Sequence, residues 1–197
     1  MGYRSPPKAT FERARETEQL IRDRGTDTDR WSRKENLATQ WDARAATAAK
    51  FIPGGSSVLD IGAGAMALGS LLSPGCTYQP ADVVERRPGC FVVDLNRREF
   101  PPGTYDWVTF LGVLEYIHDL RWPLEQAAKA APRMIVTYCT DIGADPQIRR
   151  GLGWVNDLSA DDFRRELEAT GWRVDEAFEV KRGVSNIQLM HVCTRIS

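Results

Sequence analysis

The stretch VLDIGAGAMALGS, Val58 to Ser70, sets an acidic residue inside an apolar run and follows it at once with two glycines and a helix-forming segment. A buried strand, a glycine turn and a helix in that order open a nucleotide-binding α/β unit. Such a unit cannot stand alone, because its strand needs parallel neighbours and each parallel crossover takes a dozen or more residues. The sequence supplies candidates: TYQPADVV as a second strand, CFVVDL as a third, YDWVTFLGVL as a fourth and RMIVTYC as a fifth, each short and rich in β-branched or aromatic residues. The segment RWPLEQAAKAA between the fourth and fifth reads as a helix.

The end of the chain reads differently. SADDFRRELEATG carries a capping box, Ser159 with Asp162 three residues on, and stops at Gly171. WRVDEAFEV, KRGVSN and IQLMHVCTRI then read as two strands with a tight connection, and strands so close in sequence pair antiparallel. The preceding stretch DIGADPQIRRGLGWVND, rich in Gly, Asp and Arg, reads as an inserted loop.

At the other end, residues from Lys8 to Arg24 form a helix whose apolar positions Phe11, Ala14, Leu20 and Ile21 make a thin stripe. RGTDTDR breaks it. A second helical pattern, with Leu37, Trp41, Ala45 and Ala48 on one face, runs to Pro53 and two glycines. With 197 residues and 42% hydrophobic composition, the chain is expected to form one catalytic-type domain over residues 36–197 behind a helical extension over residues 1–35 that can serve as a lid.

Composition excludes several classes. The 26 basic side chains nearly cancel the 27 acidic ones, which argues against a nucleic-acid or membrane partner and for a small molecule. Cys76, Cys90, Cys139 and Cys193 form no CxxC pair and the histidines are His118 and His191 alone, too few for a clustered metal site. No apolar run spans a bilayer, the N-terminus has no signal-peptide core, and Pro6 stands where a myristoylation motif needs Ser or Thr. A cytoplasmic protein with reduced cysteines is expected.

Gly62 and Gly64 permit a sharp turn and a close approach of ligand to backbone. A dinucleotide pyrophosphate is one reading, since Gly62, Gly64 and Ala67 fit a loose G-x-G-x-x-A. Asp60 opposes it by placing negative charge beside the phosphates. A ligand with a positive group suits Asp60 better, and S-adenosylmethionine offers an ammonium, a sulfonium and a ribose without phosphate. Asp82, ending the second strand, is placed to accept from both ribose hydroxyls. Asp94, ending the third, can accept from the adenine amine beside the backbone N–H and apolar wall of Leu95.

These segments resemble the class I S-adenosylmethionine-dependent methyltransferases: VLDIGAGAMALGSLL resembles their first motif, ADVV their ribose-binding strand end, VVDLN their adenine contact and YDWVTFLGVLEYIHDL their fourth-strand signature. The resemblance covers Trp41 to the C-terminus. It implies a Rossmann-like, mostly parallel seven-stranded sheet in order 3-2-1-4-5-7-6, with strand 7 antiparallel and helices on both faces. It further implies S-adenosyl-L-methionine as cofactor, held by Asp60, Gly62, Ala63, Gly64, Asp82, Val83, Asp94, Leu95, Leu111 and Gly112. Two departures stand out. Seven residues, Val83 to Gly89, separate the second and third strands, too few for the usual covering helix, and Tyr116 occupies the place where many members carry His.

Tyr116 and His118 follow the fourth strand, toward where the methyl group emerges, and are the candidate catalytic pair; the plainer reading of His118 is a surface histidine at a helix start. Trp31, Tyr116 and Trp154 are the candidate acceptor-binding residues, and the tryptophans serve equally well as core cover. Arg149 and Arg150 are read as pocket lining or as water-facing charges, and His191, within an apolar strand, as a satisfied core side chain. The expected activity is in-line methyl transfer to a small molecule, with a non-catalytic methyltransferase-like partner domain or an NAD(P)-dependent oxidoreductase as the alternatives. The acceptor itself is not encoded in any recognisable motif.

Overall fold

The structure, a computed structural model, describes residues 8–37, 42–143, 145–183 and 186–196. Pro6, Trp41 and residues 184–185 of the terminal connection, all used above, lie outside them. Seven strands, β1 (Ser57–Ile61), β2 (Thr77–Asp82), β3 (Phe91–Val92), β4 (Trp107–Leu111), β5 (Arg133–Asp141), β6 (Trp172–Arg182) and β7 (Asn186–Arg195), form one sheet in the order β3-β2-β1-β4-β5-β7-β6. β7 runs antiparallel to both neighbours and the remaining pairs are parallel, as expected.

The period-two alternation of the central strands sends their side chains into two cores. Val58, Trp107, Ile135, Met190 and Val192 pack under α3 (Asp42–Ala49) and α4 (Ala67–Leu71), against Ala45, Ala48 and Leu68. Leu59, Val108, Phe110, Met134, Val136 and Tyr138 pack on the other face, against Leu124 and Ala127 of α5 (Arg121–Ala130) and Phe163 and Leu167 of α7 (Ala160–Ala169). Ser159 caps α7 by accepting from the Asp162 N–H at 3.1 Å, and the buried Trp172 indole pins the start of β6 by donating to the Leu124 carbonyl at 3.0 Å.

Several boundaries differ from expectation, each for a local reason. The stretch read as an inserted loop contains α6 (Pro146–Gly151), started by Asp145 accepting from the Gln147 N–H, with Pro146 in the first turn where its missing N–H costs nothing. Likewise the RGTDTDR break holds a short helix, α2 (Thr28–Ser32), capped by Asp27. The helix before β1 is shorter than its apolar pattern, and Leu37 is extended rather than helical. β3 has two residues, because Asp94 caps a 3-10 turn at Leu95–Arg97. No helix covers the β2–β3 connection, and Val92 is left 57% exposed.

The N-terminal helix α1 (Lys8–Asp23) lies outside both cores. Its buried Ala14 and Thr17 face α6, where the Thr17 hydroxyl bonds the Arg150 carbonyl at 2.8 Å and Gln147 donates to Glu18 at 2.7 Å. Among the described residues, no helix is long and apolar enough to cross a membrane.

His191 is buried as expected, edge-on to Phe163, but it is not satisfied: its Nδ1 has no hydrogen-bond partner among the described residues. Burial lowers its pKa to about 4, from 6.5. The fold therefore refuses a proton that the unfolded chain accepts. Stability from this group is present above pH 6.5 and is lost as pH falls through about 4, by roughly 3 kcal/mol. Asp60 opposes it, since burial raises its carboxyl to about 6 and folding then favours its protonated form. Denaturant unfolding of wild type and His191→Leu at pH 7 and pH 4.5 separates the two: the difference between the proteins is expected to shift by about 2 kcal/mol against wild type at the lower pH. An unchanged difference would rule the buried neutral histidine out.

Candidate functional site

The C-terminal ends of β1, β2 and β4 and the turn after β3 border one cavity, enclosing about 1010 Å³ of empty space including its open mouth. All ten residues read as cofactor-binding line it, from Asp60, Gly62, Ala63 and Gly64 through Asp82, Val83, Asp94 and Leu95 to Leu111 and Gly112. Trp31 and Tyr116 line it as well.

The glycine loop is held to β2 by the Gly62 and Ala63 N–H groups, which donate to the Ala81 carbonyl at 2.8 and 3.1 Å. Gly62, with φ of 70°, is left-handed, and a side chain there would overlap Val113 from the loop after β4. The second glycine has a different use. Its N–H donates to Asp82 at 2.8 Å, tying the loop to the neighbouring strand end.

Asp60 is 3% exposed at the cavity floor. One oxygen accepts from Thr109, its register partner on β4, at 2.6 Å; the other accepts from the Tyr78 hydroxyl at 2.7 Å. Burial raises its pKa to about 6 against these two bonds, and the group is mainly anionic at neutral pH. The Tyr78 ring reaches it across Gly69, where a Cβ would come within 2.7 Å of the ring.

Asp82 accepts from Gly64 on one oxygen and from Arg86 on the other, at 3.0 Å. Asp94 accepts from the Asn96 N–H at 2.9 Å and from the Thr26 hydroxyl at 2.8 Å. Thr26 belongs to the N-terminal segment, as does Trp31, whose carbonyl accepts from Arg86 at 2.8 Å. The segment thus lies over the crevice.

The four acceptor-side candidates separate. Trp31 and Tyr116 meet edge to face at 4.9 Å, with Arg30 over both rings, and burial raises the Tyr116 hydroxyl above its ordinary pKa. Trp154 is not at the cavity surface; it is buried behind Tyr116 with the Arg149 guanidinium 4.8 Å from its ring. His118 is not there either. Its Nε2 lies 3.0 Å from the Gly25 carbonyl and it borders an outer groove with Arg24, Arg98 and Trp122, because the 3-10 turn after β4 points Tyr116 inward and carries His118 past the rim. Arg149 is fully buried and Arg150 nearly so, both on Asp157, so neither lines the pocket. Among the described residues no three His, Cys, Asp or Glu side chains are grouped to hold a metal.

Among the polar residues that line the cavity, Thr26, Arg44, Arg86 and Asn96 escaped the sequence reading. Arg44 stood one turn before Ala48 on the apolar face of its helix, an arginine on the wrong side by burial alone, and that signal was readable. Its guanidinium sits against Gly112, where a Cβ would lie 2.5 Å from its nitrogen, and burial lowers its pKa while Glu115, Tyr116 and Asp60 oppose the shift. Asn96 links Thr26, the Tyr116 carbonyl and the His118 N–H, contacts that no local pattern announces.

No protein-family profile and no curated protein matches the chain. Solved structures do. The 1,6-didemethyltoxoflavin-N1-methyltransferase of Burkholderia thailandensis, crystallised with 1,6-didemethyltoxoflavin and S-adenosylhomocysteine, superposes with a TM-score of 0.62 at 16% identity, covering 100% of this chain and 93% of that one. The magnesium protoporphyrin IX methyltransferase of Synechocystis PCC 6803, with bound S-adenosylhomocysteine, gives 0.63 at 18% identity over 91% and 99%. The N-methyltransferase NodS of Bradyrhizobium japonicum WM9 gives 0.59 at 16% over 81% and 98%. The chain has the fold of the class I S-adenosylmethionine-dependent methyltransferases.

Gly62→Ala tests the loop. Left-handed strain and overlap with Val113 are expected to destabilise the protein by about 2–4 kcal/mol. Adding Val113→Ala removes the overlap but not the strain, and should recover part of the loss in thermal or denaturant melts. Full stability of the single variant would contradict the loop geometry.

Proposed function

We propose that the protein is an S-adenosylmethionine-dependent methyltransferase acting on a small-molecule acceptor. The observation that carries the reading is the convergence of Asp60, Asp82 and Asp94, one from each of three adjacent strand ends, on one cavity floored by the glycine loop. Those three acceptor carboxylates suit a ligand with a cationic group, a ribose diol and an exocyclic amine and set negative charge where a pyrophosphate would lie beside the loop. The fold likeness to methyltransferases, two of the three above with S-adenosylhomocysteine in place, supports it.

When bound, S-adenosylmethionine supplies a methyl group already activated by a sulfonium. The chain then has to align, desolvate and balance charge. Asp82 accepts from the ribose hydroxyls, and the Asp94 oxygen not held by Thr26 accepts from the adenine amine against Leu95. Asp60 places negative charge beneath the ammonium, and Arg44, which lines the same cavity, brings positive charge toward the carboxylate. Trp31 and Tyr116 exclude water at the acceptor end. Tyr116, its pKa raised, remains a phenol at neutral pH and serves as a hydrogen-bond donor rather than as a base. His118 is not retained as a base, since its ring is held outside the cavity.

Residues 1–35 are proposed as a cover and residues 36–197 as the catalytic domain, with Trp31 as the part of the cover that reaches the acceptor.

Calorimetry with S-adenosylhomocysteine tests the donor site. Asp82→Asn keeps the shape but loses the charge, and is expected to weaken binding about 10-fold, equivalent to roughly 1.4 kcal/mol. Undiminished affinity would remove Asp82 from the site, and tight NADH binding without S-adenosylhomocysteine binding would overturn the reading altogether. Tyr116→Phe is expected to lower turnover about 10-fold or more with little change in S-adenosylhomocysteine affinity, as for a group that acts on the acceptor.

A further inference from the structure

Arg86 occupies an unusual position. It lies in VERRPG, the short connection that replaces a covering helix between β2 and β3, yet its side chain is 7% exposed and lines the cavity. One terminal nitrogen donates to the ribose-reading carboxylate of Asp82 at 3.0 Å. The other donates to the Trp31 carbonyl at 2.8 Å. Its Nε–H is buried and has no partner among the described residues. A planar guanidinium is the side chain suited to such a bridge, because its donors are fixed in one fork.

We infer that Arg86 couples occupancy of the donor site to closure of the N-terminal segment, by joining the ribose carboxylate to Trp31. The inference rests on the methyltransferase reading above. Arg86, Asp82, Thr26 and Trp31 all border the same cavity, so the bridge is part of its wall and does not fill it. Water in the crevice competes for both ends of the bridge. A ligand displaces that water and strengthens the Asp82–Arg86 pair in the lower local dielectric. Arg86 is then fixed, and with it the Trp31 carbonyl.

The segment is suited to such control. Its hydrogen-bonded attachments to the rest of the chain are polar and separable: Thr17 to the Arg150 carbonyl and Gln147 to Glu18 along α1, then Thr26 to Asp94, Arg30 to the Leu152 carbonyl and Arg86 to the Trp31 carbonyl. Thr26 ties down the point where the chain leaves α1. Arg86 reaches farther along, to the residue whose ring contacts Tyr116 at the acceptor end. Arg86 is a positioning residue in this scheme: it sets where Trp31 stands when the donor is bound.

Limited trypsin digestion of the full chain, followed at Arg24, Arg30 and Arg33, reads the closure directly, and calorimetry on the same samples reads the binding. Saturating S-adenosylhomocysteine is expected to slow cleavage of the wild type at least about fivefold. Arg86→Lys keeps a cation for Asp82 but not the two-handed bridge, and its protection should fall below about twofold, with affinity falling by the same factor as reciprocity requires. Arg86→Met should behave alike, and the lysine variant carries the test if the methionine protein folds poorly. Wild-type protein that fails to bind S-adenosylhomocysteine overturns both this inference and the function above. Binding without protection in wild type, or protection undiminished in the variants, overturns the coupling alone.

Discussion

A carboxylate buried at the end of a central parallel strand is the constraint on which the site depends. Asp60 can stay charged there because two hydroxyls reach it, Thr109 from the partner strand in register and Tyr78 from the other side. Each of those contacts imposes a further condition. Tyr78 needs Gly69 to have no side chain, and the chain leaving Asp60 must turn at Gly62 against Val113. Negative charge, glycine loop and the mouth of the crevice are therefore one construction. A buried ion left without these partners would cost several kcal/mol.

The same logic extends outward through charge pairs rather than through apolar packing. Asp82 ties the glycine loop by way of Gly64 and faces Arg86; Asp94 faces Thr26; Glu115, 1% exposed, accepts from the Cys139 N–H at 2.8 Å and lies near Arg44. Burial raises the Glu115 pKa, and Arg44 counteracts it. A site built this way responds to a charged, water-displacing ligand more than a purely apolar pocket does, because each pair strengthens as water leaves.

The N-terminal segment shows what a thin apolar stripe means physically. α1 buries Ala14 and Thr17 and leaves Phe11 42% exposed, so it contributes little to either core. It docks through side-chain hydrogen bonds on α6, an element that itself sits in the stretch between β5 and α7. Two segments outside the sheet thus meet beside Tyr116, with Arg30 joining them by donating to the Leu152 carbonyl at 2.8 Å.

The sequence by itself determined the sheet, the antiparallel end hairpin, the capping of α7 and the ten residues from Asp60 to Gly112 that line the cavity at the strand ends, since these rest on periodicity, turn chemistry and spacings that act within a few residues of each other. It also showed that the β2–β3 connection was too short for a helix. Tertiary structure alone decided which way Tyr116 and His118 point, because one 3-10 turn separates inside from rim. It placed Trp154 behind Tyr116 instead of in the cavity, left His191 without a partner for Nδ1 among the described residues, and gave Thr26, Arg86 and Asn96 their contacts. Those outcomes depend on contacts between residues 20 to 93 positions apart, such as His118 with Gly25 and Asn96 with Tyr116, where no local rule can act. A carboxylate at a strand end can be read from its neighbours in sequence; the side chain that answers it is chosen by the fold.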